Sequence, residues 1–215
     1  MLTESNKYGF DVIREKVMRM SRSERAERLK NILKERKFGK ETGDRFKDRF
    51  KKVMRSFENA HYLFALWARG GDYRDLHRQR QNTQARMKLT THWGYDLEPE
   101  VKESPFIEKI ENVLQKADLL YKKLEQISPD IAQYAVPFGY IQHWYLNLSA
   151  REIYWMIELR TGPQGRPHYR KICQQIAEQV KAVDPAVFGE LMVDNADYSL
   201  SRREANIKKE KRMGN

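Results

Sequence analysis

Cysteine is nearly missing from this sequence. Cys173 is the single one in 215 residues. That excludes an internal disulfide and any metal site built from a cysteine cluster, and it makes the reducing cytoplasm the expected compartment. Long apolar runs are missing too. None approaches the roughly 18 residues needed to cross a bilayer, so no membrane partner is expected. Met1 to Ser5 are polar and lack the apolar core of a signal peptide. His61, His77, His92, His143 and His168 do not fall at metal-ligand spacing, so no metal site is expected. Acidic residues are in deficit, 30 against 41 basic ones, for a net charge of +11. An imbalance of this size points to an anionic partner: nucleic acid, nucleotide or an acidic surface.

The 40% of hydrophobic residues suffice for the core of one domain with extensions. Residues 1–56 read as a basic helical N-terminal extension. Within it Ser21-Arg22-Ser23-Glu24 fits a capping box, followed at helical spacing by Ala26, Leu29, Ile32 and Leu33. A solvated amphipathic helix accounts for this stretch. A basic arm for nucleic acid over residues 14–55 is the alternative, although no known nucleic-acid motif stands there. Gly39 to Gly43 reads as a joint.

A domain is expected over 57–198, with a charged tail over 199–215. Phe57, Ala60, His61, Phe64, Ala65 and Trp67 give one apolar face, predicting a buried helix that Gly70-Gly71-Asp72 breaks. Tyr73 to Arg80 fits helix or strand equally. Gly94 to Pro99 is a turn. Ser104-Pro105 is expected to cap and open a helix, with an apolar stripe from Phe106 to Ile127 and an end at Ser128-Pro129. Tyr140 to Leu148 alternates and predicts a strand. Ser149 is placed to cap the helix that carries Arg151 and Arg160. Gly162 to Pro167 interrupts it, and Tyr169 to Val180 begins another amphipathic helix with Cys173 on its apolar stripe.

The chemistry concentrates in Arg78-Gln79-Arg80-Gln81-Asn82-Thr83. Two arginines at i and i+2 beside amide and hydroxyl groups suit phosphate, because a guanidinium donates two parallel hydrogen bonds from a fixed plane. Arg151 and Arg160 supply a second basic segment. Together they point to a phosphorylated, nucleotide-like small molecule. Asp75 and Glu158 serve equally well as plain neutralising partners. Trp144, Tyr145, Tyr154 and Trp155 suit core or interface packing, or stacking on a ring. Gly162-Pro163-Gln164-Gly165 lacks the lysine and spacing of a phosphate loop. It reads as a turn, with Gln164 and Arg166 able to line a nucleotide site.

At these residues the chain resembles the flavin-dependent thymidylate synthases, whose signature runs R-H-R-x-x-S-x-N-E-x-S-x-R-Y. It is more similar to a divergent branch reading Y-R-D-L-x-R-H-R-x-x-T-Q-x-R-Q, here Tyr73-Arg74-Asp75-Leu76 through Arg86. Trp144-Tyr145, Ser149-Ala150-Arg151 and Leu159-Arg160 resemble the second family segment. Ala132-Gln133-Tyr134-Ala135-Val136-Pro137 resembles its A-R-x-x-L-P element. The resemblance implies an α+β, helix-rich fold with a small antiparallel sheet packed among helices. It also implies a homotetramer with FAD between subunits, and methylation of dUMP to dTMP using methylenetetrahydrofolate and NADPH. By the same resemblance, Arg78, Gln79, Arg80, Ser149 and Arg151 hold the flavin. Asp75, Arg78, Thr83, Arg86, Gln133 and Arg160 meet the nucleotide, and Arg160 is the catalytic cation at the uracil. The chain departs from the pattern at several of these positions. Gln79 stands for a histidine, Ala85-Arg86 for Asn-Glu, and Lys88 and Thr90 for a serine and an arginine. Gln133 stands for an arginine, and Ser149 and Trp155 for two asparagines. Proteins of the branch are often duplicated, and this chain resembles the second copy. That allows a degenerate copy pairing with an active homologous subunit.

Overall fold

The computed structural model describes residues 10–34, 52–196 and 198. The expected joint at Gly39–Gly43 and the tail from Ser199 lie outside the described residues. Two helices come first, α1 (Phe10–Arg19) and α2 (Arg22–Lys34). Ser21 forms the anticipated reciprocal box: its backbone N–H donates to Glu24 Oε2 at 2.7 Å, and its hydroxyl accepts from the Glu24 N–H at 3.2 Å. A 3-10 turn, Arg55–Asn59, leads into strand β1 (His61–Arg69). Helix α3 (Gly70–Leu76) and strand β2 (Asn82–Arg86) follow, then α4 (Pro99–Lys102), α5 (Ile107–Glu125) and α6 (Pro129–Ala132). Strand β3 (Ile141–Ser149) precedes α7 (Ala150–Arg160), α8 (Pro167–Val183) and α9 (Pro185–Phe188). The fold is α+β and helix-rich, as expected.

The sheet has the order β1-β3-β2 and is antiparallel throughout. β3 is central, pairing His61↔Ser149 through Arg69↔Ile141 on one side and Asn82↔Leu148 through Arg86↔Trp144 on the other. Its even-numbered residues point inward, and Trp144, Leu146 and Leu148 are fully buried. Against them lie α7, with Ile153, Met156 and Ile157, and α8, with Cys173, Ile176, Ala177 and Val180. The i, i+3, i+4 spacing of these residues puts one stripe of each helix on the core. Leu33 of α2 and Phe188 of α9 join the same cluster.

Three expectations are corrected here. Residues 61–67 form a strand rather than a buried helix. Apolar residues occupy both faces of this run, so periodicity could not discriminate, and nine paired positions along β3 decide for strand. Gly70 and Gly71 do not break a helix but begin α3; their backbone N–H groups donate to Tyr140 and Phe138 carbonyls at 3.1 and 3.2 Å. The Ser104 cap also shifts. Its hydroxyl accepts from the Phe106 N–H at 3.4 Å, closing a turn that contains Pro105, and α5 starts only at Ile107. Tyr73 to Arg80, readable either way, is the end of α3 and a turn. Ser149 caps α7 as anticipated, accepting from the Glu152 N–H at 3.3 Å.

Candidate functional site

The basic cluster sits where α3 hands the chain to β2. The His77 N–H donates to the Tyr73 carbonyl at 2.7 Å and the Gln79 N–H to Leu76 at 3.0 Å, so the chain leaves the helix in a tight turn. Asn82 locks the far side by donating to the Gln79 carbonyl at 2.5 Å. The result is an open cavity of about 520 Å³ lined by His77, Arg78, Gln79, Arg80, Asn82 and Gln84. Both arginines reach solvent. Donors on an open basic rim suit phosphate oxygens, so the residues present fit the diphosphate part of a flavin nucleotide.

Asp75 organises this rim from behind. It is 4% exposed and accepts from Arg78 Nη2 at 2.6 Å. Arg74 Nη2 and Arg166 Nε each lie 3.9 Å from the same carboxylate. Arg166 lies in the α7–α8 connection and reaches this rim, whereas Arg151 and Arg160, the anticipated second basic segment, do not line the cavity. One carboxylate among three guanidiniums leaves the cluster a net cation.

Gln79 faces inward. Its amide donates to Glu152 Oε1 at 2.6 Å, and both side chains are buried. Burial pushes the Glu152 carboxyl above the ordinary glutamate value, against the lowering effects of Gln79, Lys52 and Arg151. Glu152 therefore gathers three of the anticipated residues: Gln79 by hydrogen bond, Ser149 through its cap, and Arg151 by charge. Arg151 itself donates from Nε to the Val53 carbonyl at 3.1 Å and from Nη1 to Glu58.

The remaining anticipated residues stand apart from that cavity. Arg86 lies over the Tyr73 ring at 5.6 Å and lines a second cavity of about 160 Å³ with Arg74, Leu89 and Phe138. Gln133 adjoins it, accepting from the Leu89 N–H at 3.0 Å. Thr83 points to the other face of the sheet, opposite Asn147. Arg160 ends α7 over the Tyr169 ring at 5.8 Å, and its buried Nε has no hydrogen-bond partner among the described residues. Beneath it, burial drives the Cys173 thiol up to about 12, with the Arg160 charge pulling the other way. A larger groove of about 1000 Å³ between α2 and α9 is lined by charges of both signs, including Arg22, Arg25, Glu27 and Glu190. It contains none of the anticipated residues.

Two features escaped the sequence reading. Glu152 had a signal, because Ser149-Ala150-Arg151-Glu152 has capping-box spacing; its carboxylate turns to Gln79 instead. His168 had none. It lies between two carboxylates distant in sequence, with Nδ1 2.7 Å from Asp72 and Nε2 3.2 Å from Asp96. Arg69 Nε reaches Asp72 at 3.0 Å. These contacts pin the start of α8 to α3, the helix that carries the arginine turn.

Comparison with known proteins adds the lineage. A family model described as thymidylate synthase complementing protein matches residues 9–186. A UPF0159 protein of Chlamydia pneumoniae is 35% identical over 162 residues, covering 74% of this chain and 30% of that one. A UPF0159 protein of Chlamydia muridarum is 36% identical over 152 residues, covering 70% and 29%. One from Thermoplasma acidophilum is 33% identical over 171 residues, covering 78% and 34%. The chain thus spans about a third of the length of the curated relatives it matches.

Proposed function

The chain belongs to the thymidylate synthase complementing protein family, and on that footing we propose that it binds FAD and dUMP as a thymidylate synthase-like flavoprotein. The observation that carries this reading is the open cavity rimmed by Arg78 and Arg80, backed by Asp75 and reached by Arg166. Arg78, Arg80, His77 and Asn82 would hold the diphosphate. Arg86, with Gln133 beside it, would meet the nucleotide, and Arg160 would offer a cation to charge developing on the uracil. A bound flavin supplies the reducing equivalents, drawn from NADPH, for transfer of the methylenetetrahydrofolate carbon to dUMP. The chain's own contribution is to bind, orient and neutralise charge. The reducing cytoplasm suits this reading and the lone, buried Cys173.

Isothermal titration of the flavin-free protein with FAD tests it, with dUMP titrated afterwards into the loaded wild type. Arg78→Ala and Arg80→Ala each remove charge-assisted hydrogen bonds of about 1.5–3 kcal/mol. Affinity is then expected to fall roughly ten- to a hundredfold. Equal affinity in wild type and both variants would overturn the reading.

One observation favours a second reading, a non-catalytic copy pairing with an active homologous subunit. Gln79, Ser149, Arg151 and Gln133 each hold a partner within the fold, at positions where the resemblance implies ligand contacts. Tritium release from labelled dUMP by this protein alone would exclude that alternative.

A further inference from the structure

Helix α5 (Ile107–Glu125) rests on the body along one stripe, where Leu114 and Tyr121 are buried. A second apolar stripe runs beside the first and faces solvent. Its members Phe106, Val113, Leu120 and Ile127 are 59%, 62%, 50% and 76% exposed. They recur every seven residues, with Phe106 and Ile127 just beyond the two helix ends. Ile110, Ala117 and Leu124 stand between them and are half-buried. The combined spacing alternates four and three from one end to the other. That is the repeat of about 3.5 residues found in a coiled-coil seam, rather than the repeat of about 3.6 of a helix that only lies on a core.

Charge of one sign borders this seam. Lys109, Lys116 and Lys123 form the column along its open edge, again seven residues apart, and all three are exposed. Lys109 Nζ stands 6.0 Å from the centre of the Phe106 ring, so the column lies against the seam. None of the three has an ion pair among the described residues, whereas Lys122 pairs with Asp118 at 2.7 Å. The next column outward, Asn112, Leu119 and Gln126, is uncharged. The carboxylates lie elsewhere on the helix. Glu111, Asp118 and Glu125 share a column on the side away from the seam, where Glu125 accepts from the Tyr121 hydroxyl at 2.8 Å and meets His92 at 3.0 Å. The other flank of the seam is closed by the molecule itself at Leu114 and Tyr121. What remains open is a strip one helix wide, apolar along its middle and cationic along its free edge.

We propose that this strip docks an acidic amphipathic helix of another protein, one with apolar residues on its own seam and Asp or Glu on the flank that meets Lys109, Lys116 and Lys123. In paired helices the charges beside the apolar seam select the partner, and a column of lysines attracts carboxylate. A second copy of α5 has none to offer there. Paired antiparallel, the two lysine columns would face each other. Paired parallel, each would face Leu114 and Tyr121, which are already buried in their own molecule. A net charge of +11 acts in the same direction, since like copies repel while an acidic partner is drawn in. An anionic lipid surface would also satisfy the lysines, but a helix lying in a membrane interface buries a broad apolar face. Here the apolar strip is narrow and its heptad spacing matches a second helix. The 19 residues of α5, rising about 1.5 Å each, give a seam of roughly 28 Å. None of these residues lines the cavity under Arg78 and Arg80, so the proposal stands whether or not a flavin binds.

Fluorescence anisotropy of the full chain with a labelled synthetic helix tests it. The probe carries about four heptads with Ile and Leu on the seam and Glu on both flanks, and the control has Lys for every Glu. The protein is expected to bind the acidic probe in the micromolar range, more weakly as salt rises, and to leave the control free. A Val113→Asn, Leu120→Asn double variant with an unchanged far-ultraviolet circular dichroism spectrum should bind the acidic probe about tenfold more weakly or worse. A Lys109→Glu, Lys116→Glu, Lys123→Glu triple variant should reverse the preference, taking the basic control and releasing the acidic probe. Its changes are all at exposed positions, so it carries the test should the double variant not fold. No binding of the acidic probe, equal binding of both peptides, or an unreversed preference in the triple variant would each overturn the proposal. So would either rival occupant: co-sedimentation with phosphatidylcholine–phosphatidylserine vesicles that the double variant loses, or an assembly in ultracentrifugation that the double variant breaks.

Discussion

Replacing Gln79 by methionine keeps the length of the side chain and removes the amide that donates to Glu152 at 2.6 Å. Gln79 is 7% exposed and Glu152 5%, so water cannot readily replace the lost donor. A buried acceptor left alone costs about 1–3 kcal/mol, and more when charged. At about 2–4 °C per kcal/mol for a chain of this size, Gln79→Met should melt roughly 2–12 °C lower at neutral pH. The pH dependence follows from the Glu152 carboxyl. Burial already raises it above its ordinary value of 4.5, and Gln79 is one of the groups pulling it down. A raised acid favours the folded state while it carries its proton. That contribution is full below the unfolded value and is lost as pH rises through the folded one. Losing Gln79 raises the carboxyl further, so the deficit of the variant should be greatest at neutral pH and shrink on acidification toward 4.5. Scanning calorimetry at neutral and acidic pH reads both effects. Equal melting temperatures at neutral pH, or a deficit that grows with acidity, would rule out this role for the Gln79–Glu152 pair.

Asp72 behaves in the opposite sense. Burial acts to raise it, but hydrogen bonds from His168 and Arg69 outweigh that and leave it below the ordinary value of 3.8. Its stabilisation is therefore present above that value and lost as pH falls through the folded one. Asp72→Asn should cost about 1.5–3 kcal/mol at neutral pH, with the difference from wild type closing in strong acid, as followed by denaturant melts. Cys173, fully buried and pushed up to about 12, should not react with a thiol reagent until the protein unfolds; rapid labelling of native protein would be incompatible with its placement.

Much of the second half was legible from the chain because its signals are local. Ser149 caps α7, Tyr140 to Leu148 alternate as a strand should, and Gly162 to Pro167 separate α7 from α8. The first half was less legible because partners distant in sequence settle it. β1 is a strand because β3 pairs with it along its whole length, and its apolar residues on both faces hid the period. Among the candidate residues, adjacency along the chain singled out Arg78 and Arg80, which share one cavity rim, while family likeness singled out Arg151 and Arg160, which stand apart from it. Glu152, which ties Gln79, Ser149 and Arg151 together, carried only the weak signal of capping-box spacing. His168, held between Asp72 and Asp96, carried none, since nothing local links residues so far apart.

Everything proposed for the site rests on the cavity under Arg78 and Arg80 holding a flavin nucleotide beside dUMP. The decisive observation is the visible absorbance spectrum of the full chain, recorded after incubation with FAD and removal of the free cofactor, then again with dUMP added. A retained flavin band that dUMP perturbs is expected, with its loss in the Arg78→Ala, Arg80→Ala double variant. No retained flavin and no response to dUMP at micromolar concentration, or equal retention in the double variant, would show that this cavity does not hold the cofactor.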